Sequence, residues 1–323
     1  ELALPNLQFA NGSMLLIGDG TADAFHDAYG HHIDLGASNV GNQVWGLGGA
    51  DLVVTGSGAD WLVGNVRLAP IDHVSRDGST GSPVLSSHAT VSADGRYVAF
   101  DGDWAQFGAS GDGVIVKDMN TGAFTDEHRN AAGVAGASGA GSTVISADGN
   151  VVAFSSASAN LVAGPDSPAL YDIFVSDPHG TEILRASTGT GGALAADGRA
   201  LNPDLSGSGR YVVFESDTSS YAAGGSTLQT DIFLKDLVDD TTTRLSTSLT
   251  STDGNGDSRN AKISADGDFV VFESAASNLT AGDGNGYSDI FLWDAGSGSL
   301  SNITNGLVPV SNPNNGNFNP DVA

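Results

Sequence analysis

The chain has 323 residues and carries 12 Lys and Arg against 38 Asp and Glu, a formal net charge of −26. That balance excludes sequence-independent nucleic-acid binding, which needs a basic face. The absence of cysteine excludes disulfide scaffolds, thiolate metal sites and cysteine nucleophiles. No apolar run approaches the roughly 18 residues of a membrane span. A hydrophobic share of 40% is enough for a packed core. The acidic, lysine-poor balance suits a secreted protein in calcium-rich or salty surroundings, and its ends read as those of a processed chain or a fragment.

Residues 1–65 are glycine-rich and form the first predicted segment. Within them, Gly49 and Gly58, Asp51 and Asp60, and Val53 and Leu62 are each nine residues apart. Glycines at that interval permit tight turns whose carbonyls face inward, and each Asp adds a hard anionic oxygen of the kind Ca²⁺ prefers. The apolar residue two places on predicts a short strand. Leu47 and Thr55 stand where further glycines would complete the pattern. These residues resemble the nonapeptide of RTX (hemolysin-type) calcium-binding proteins. The resemblance implies a short β-roll holding Ca²⁺ through Gly49, Asp51, Gly58 and Asp60. His26, His31 and His32, near Asp34, read as a solvated polar cluster.

From residue 66 to 323 a longer repeat takes over. One motif occurs four times: Val91 to Phe100, Ile145 to Phe154, Leu205 to Phe214 and Ile263 to Phe272. Its closing Phe advances by 54, 60 and 58 residues, a period that signals a repeat architecture. Each copy holds a Ser-Ala-Asp-Gly-type turn, where Gly accepts the positive φ of a tight hairpin, then a β-branched and aromatic strand. A third strand follows, as in Asp172-Ile173-Phe174, Asp231-Ile232-Phe233 and Asp289-Ile290-Phe291. A fourth closes the unit, as in Thr242-Thr243-Arg244-Leu245.

Four antiparallel strands per unit, without a helical period anywhere, predict an all-β fold of β-propeller blades. The units fall at about 86–135, 136–196, 197–256 and 257–310, with partial strands at 66–75 and 318–323. Those partial strands imply that further blades of a longer chain, or another chain, complete the ring. The blades resemble the TolB-type family of WD-like propeller repeats, on turns such as Ser92-Ala93-Asp94-Gly95-Arg96-Tyr97 and on Ser288-Asp289-Ile290-Phe291-Leu292-Trp293-Asp294. The resemblance implies a fold far more specifically than a role.

Meander topology puts the loops after the second and fourth strands on one face, opposite the tight turns. Those loops are long, and long loops on a rigid scaffold carry recognition. Asp283, Asn285 and Asp289 alternate oxygen side chains with glycines, like the first half of an EF-type loop without its distal Glu. Asp253 and Asp257 form a similar cluster, so the long-loop face is expected to bind cations or a ligand bridged by them. Tyr97, Arg96, Tyr211 and Arg210 invite comparison with the His, Tyr and Arg of propeller lyases, but they recur beside the tight turn, which predicts a structural role. No G-x-S-x-G or phosphate-loop pattern occurs. The sequence therefore reads as a secreted or cell-surface, calcium-binding, non-catalytic module for an extracellular ligand, glycan or protein. The alternatives are a propeller polysaccharide lyase or hydrolase, and a periplasmic TolB-like interaction scaffold.

Overall fold

The computed structural model describes residues 86–103, 112–163, 170–180, 182–195, 197–222, 229–304 and 320–321, and the backbone of six strands between residues 7 and 64. Among the described residues there is no helix, and so none long and apolar enough to cross a membrane. The chain divides into two compact units, residues 1–73 and 74–323.

In the first unit the strands are β1 (Leu7–Gln8), β2 (Met14–Ile17), β3 (His32–Asp34), β4 (Gln43–Leu47), β5 (Leu52–Val54) and β6 (Trp61–Gly64). β1 pairs antiparallel with β2, whereas β2, β4 and β6 run parallel in one sheet and β3 and β5 run parallel in another. Successive strands from β2 to β6 alternate between the two sheets. Val44 pairs with Leu62, eighteen positions and two nonapeptide lengths further on. Gly49, Asp51, Gly58 and Asp60 lie outside the described residues, as do His26 and His31.

The second unit contains four antiparallel meanders of four strands. Blade 1 comprises β7 (Ser86–Val91), β8 (Tyr97–Asp103), β9 (Asp112–Asp118) and β10 (Phe124–Asp126). Blade 2 comprises β11 (Ala140–Ile145), β12 (Val152–Ser156), β13 (Asp172–Ser176) and β14 (Ile183–Arg185). Blade 3 comprises β15 (Ala200–Leu205), β16 (Tyr211–Ser216), β17 (Asp231–Asp236) and β18 (Thr241–Arg244). Blade 4 comprises β19 (Ser258–Ile263), β20 (Phe269–Ser274), β21 (Asp289–Asp294) and β22 (Ser299–Asn302). The first strands of successive blades neighbour one another. This is the β-propeller arrangement that the repeat predicts.

Within blades 2 to 4 the closing Phe of the second strand meets its partner on the third. Phe154 stacks on Phe174, Phe214 on Phe233 and Phe272 on Phe291, with centroids 5.7–5.9 Å apart. Between blades, the core is shared. Ala99, Val114 and Val116 of blade 1 pack with Ile145, Val152 and Phe154 of blade 2, and the next two interfaces repeat the pattern. Burying such side chains contributes about 1.5–3 kcal/mol each, so each blade is held largely by its neighbours.

The tight turns form a seam. In the Ser-Ala-Asp-Gly turns, the Ser hydroxyl donates to the Asp carboxylate and accepts the amide of the residue that opens the second strand. Ser92 Oγ lies 2.6 Å from Asp94 Oδ1, and the Tyr97 amide lies 3.0 Å from Ser92 Oγ. Backbone bonds then join the turns: Ala93 N donates to Ala147 O, and Gly207 N to Ala265 O, each at 2.8 Å. A side chain just after each of the first three turns covers the turn glycine of the next blade. Tyr97 lies against Gly149, Val151 against Gly209 and Tyr211 against Gly267. Arg96 and Arg210 pair with Asp118 and Asp236 of their own blades.

Each first strand also carries a bulge, at His88, Ser142, Asn202 and Asn260, all with φ between 46° and 56°. In blades 1, 3 and 4 the bulge residue ties into a carboxylate that follows a closing Phe, Asp101 or Glu215, whereas blade 2 has Ser155 there and Ser142 Oγ bonds Asn202. His88 Nδ1 contacts Asp101 at 3.0 Å, Asn202 Nδ2 donates to Glu215 at 3.0 Å, and the Asn260 backbone amide donates to Glu215 at 2.7 Å. The bulges increase local strand twist.

Candidate cation site on the long-loop face

In blades 2 to 4 the loop that enters the blade is tied to the loop between that blade's second and third strands. The Asn160 side chain bonds the backbone of Ala135 and Ala137, and the Asn160 carbonyl accepts the Asn130 side chain. Asp197 accepts the hydroxyls of Thr218, Ser219 and Ser220. Asn255 bonds Ser277 and Asn278. These paired loops lie on the face away from the tight turns.

At the base of that face, blades 2 to 4 share a polar motif. The third strand opens with Asp172, Asp231 or Asp289. A hydroxyl from beyond the fourth strand donates to it: Ser187 at 2.7 Å, Ser246 at 2.6 Å and Thr304 at 2.7 Å. The same hydroxyls accept the amides of Ile173, Ile232 and Ile290, which fixes the strand end. The motif's third member differs between blades. Arg185 stands 3.5 Å from Asp172, and Arg244 stands 3.4 Å from Asp231. In blade 4 the matching residue is Asn302, whose amide donates to Asp289 at 3.0 Å. Burial raises the Asp231 carboxyl above its ordinary value, against the pull of Ser246 and Arg244.

Blade 4 also adds a second carboxylate. Asp283 is pushed up by burial, and then by the charge and the hydrogen bond of Asp289 beside it. Asn285 Nδ2 lies 3.2 Å and 3.3 Å from the two Asp289 oxygens, and Asn285 Oδ1 accepts the Tyr287 amide at 2.8 Å. Gly282 and Gly286 take the positive φ that lets this loop fold back. The three residues singled out by spacing, Asp283, Asn285 and Asp289, are thus together. Among the described residues no group of three His, Asp or Glu side chains is placed to hold a metal ion by itself. Here two carboxylates are joined by two amides and a hydroxyl.

Asp253 and Asp257 sit elsewhere. Asp253 forms an ion pair with Arg244, whose side chain is 2% exposed. Asp257 accepts the Thr230 amide at 2.9 Å and Arg259 at 2.8 Å. Arginine already neutralises both. Sequence reasoning missed Arg185, Arg244 and Asn302, although each lies thirteen residues after its aspartate.

No family model matches the chain, and no curated protein matches it. Solved structures do resemble it. TolB from Acinetobacter baumannii is 17% identical, with a TM-score of 0.40, over 68% of this chain and 43% of that one. A putative TolB from Agrobacterium tumefaciens is 18% identical, with a TM-score of 0.32, over 68% of this chain and 81% of that one. The β-propeller domain of the Trilobed protease from Pyrococcus furiosus is 13% identical, with a TM-score of 0.38, over 68% of this chain and 57% of that one. All are propeller-type likenesses of low identity. The fold assignment rests on the strand topology above, and these likenesses assign no role.

Proposed function

We propose that the chain is a non-catalytic binding module that works outside the cytoplasm, with Ca²⁺ ordering its long-loop face. One observation carries this reading. Blades 2 and 3 neutralise the third-strand aspartate with Arg185 and Arg244, whereas blade 4 has Asn302 there and a second carboxylate, Asp283. Two adjacent carboxylates without an arginine favour a bound cation. Ca²⁺ takes six to eight oxygens and accepts carboxylates, amide carbonyls and water. Asp283, Asp289, Asn285 and Asn302 would supply the side-chain oxygens, the amides turning oxygen-inward when the ion enters. The alternation of the N-terminal strands between two sheets supports the same reading, because roll turns at Gly49–Asp51 and Gly58–Asp60 would supply further sites. The protein would bind a glycan or protein ligand through loops that stiffen where calcium is abundant.

Calorimetric titration of Ca²⁺ into chelator-treated protein, with thermal melts, tests the proposal. Saturable binding should raise the melting temperature. Asp283→Ala should remove the blade 4 site, and Asp51→Ala with Asp60→Ala should remove any roll site. Asn302→Arg should abolish the blade 4 site while raising the melting temperature of the calcium-free protein. Failure to bind at millimolar Ca²⁺ rules the mechanism out.

The lyase or hydrolase alternative has one observation in its favour. His88 presents an exposed imidazole whose Nδ1 is held by the buried Asp101 carboxylate, which orients it as a general base. Turnover of an acidic polysaccharide that vanishes in His88→Ala would establish that alternative. The periplasmic scaffold reading needs no calcium, and a calcium-insensitive protein would favour it.

A further inference from the structure

A second cluster lies between the outer edges of blades 1 and 2. A cavity of about 260 Å³ is lined by Asp126, Glu127, Arg129, Ser176, Asp177 and Glu182, among others. That volume is below the range for drug-sized ligands and suits a single side chain.

The four blades serve as internal controls for this site. The residue just past the fourth strand donates its amide to the third strand in every blade: Glu127 to Val114, Ala186 to Ile173, Leu245 to Ile232 and Ile303 to Ile290. In blades 2 and 3 this position is a buried Ala186 and a buried Leu245. Blade 1 has Glu127, which is only 8% exposed. A carboxylate buried where the repeat places an apolar side chain is costly, and the fold does not need it. Asp126, its neighbour, is matched by Arg129, whose Nε lies 2.9 Å from Oδ2. Glu127 instead lies near Asp126 and Asp177: burial raises its carboxyl above the usual range, against the pull of the Thr125 and Ser176 hydroxyls, and the two neighbouring aspartate charges add to the rise. Ser176 lines the same cavity at 6% exposure, and its Oγ lies beside Glu127 without making a hydrogen bond of normal geometry.

We propose that this groove binds a primary ammonium group, such as a lysine side chain of a partner, between Glu127 and Ser176. An ammonium has three donors and no acceptor. It would give the Glu127 carboxylate its missing counter-charge and give Ser176 Oγ a donor. Asp177 and Glu182 at the rim would draw the cation in. This site is separate from the calcium proposal, and neither depends on the other.

The test uses the full chain and the probe N-acetyl-lysine-methylamide, followed by amide NMR shifts. Saturable shifts are expected around Glu127 and Ser176. Glu127→Gln should weaken binding by about tenfold or more. Glu127→Leu, which copies blade 3, should abolish binding and raise the melting temperature by a few degrees. The absence of site-specific shifts at tens of millimolar probe overturns the proposal, as does binding that Glu127→Gln leaves unchanged. If Ca²⁺ shifts the same amides and displaces the probe, the site takes a metal instead and the ammonium assignment fails. A lowered melting temperature in Glu127→Leu makes Glu127 a structural residue and likewise overturns it.

Discussion

The turn glycines show how closely one residue's role can be defined. A Cβ on Gly149 would stand 2.5 Å from the Tyr97 ring, and one on Gly209 would stand 2.4 Å from Val151. Both glycines also hold a positive φ. Gly95 holds φ +72° but has nothing within 4 Å of its hypothetical Cβ. Gly95→Ala should therefore cost only about 1 kcal/mol of backbone strain. Gly149→Ala and Gly209→Ala should cost about 1–3 kcal/mol more, because they overpack a blade junction. Urea midpoints for the three variants check this, and equal losses would refute the packing argument. His128 makes a second case. It is 2% exposed, bonds Ser156 and Ser158 through Nε2, and lies edge-on to Phe154. Burial, aided by the Arg129 charge, lowers its imidazole to about 4 from an ordinary 6.5. The folded-state value lies below the unfolded one, so the stability it allows is complete above pH 6.5. That stability drains away as pH falls toward 4, a loss of about 3 kcal/mol. NMR titration of the His128 ring should show a midpoint near 4; a midpoint near 6.5 would contradict the buried, neutral assignment.

At the level of elements, the third-strand aspartate shows what a sequence discloses and what it hides. The Ser-Ala-Asp-Gly turns are legible because each residue's task is local: the Ser and Asp bond within the turn and the Gly takes the positive φ. The strands are legible for the same reason, since β-branched and aromatic runs pack on a pleated surface. Asp283, Asn285 and Asp289 are legible as neighbours because one short loop holds them. Arg244 is not, because its link to Asp231 depends on the register of β17 against β18. Without that register, Asp253 reads as a cation ligand. The bulges leave no trace, since His88, Ser142, Asn202 and Asn260 share a conformation but not a residue type. Arg244→Ala should be severe. It leaves Asp231, 1% exposed, without its charge partner and also strands Asp253, so a loss of about 3–5 kcal/mol is expected by chemical denaturation. A loss below about 1 kcal/mol would show that the pair is solvated. The matching change in blade 4, Asn302→Ala, removes only a neutral side chain's hydrogen bonds, to Asp289 and from the Thr304 amide, and should cost about 1–2 kcal/mol.

For the whole molecule, charge sets the background. A net charge of −26 repels itself, and salt screens that repulsion. The melting temperature should rise steadily with NaCl. CaCl₂ at matched ionic strength should raise it further only if specific sites exist, which separates screening from binding. The blade junctions set the mechanics. Every junction combines a shared apolar cluster with a side chain seated over a glycine, and these contacts link blades in sequence. Under tension the second unit should behave as a chain of weak links loaded in series. Stretching it from its ends should pull blades away one after another, each releasing 54 to 60 residues of slack. At about 3.4 Å per residue that is about 20 nm per step, visible as a sawtooth in a single-molecule force trace. The side chain over each glycine would then act as a latch, holding against sliding along the turns while leaving the junction free to open like a hinge.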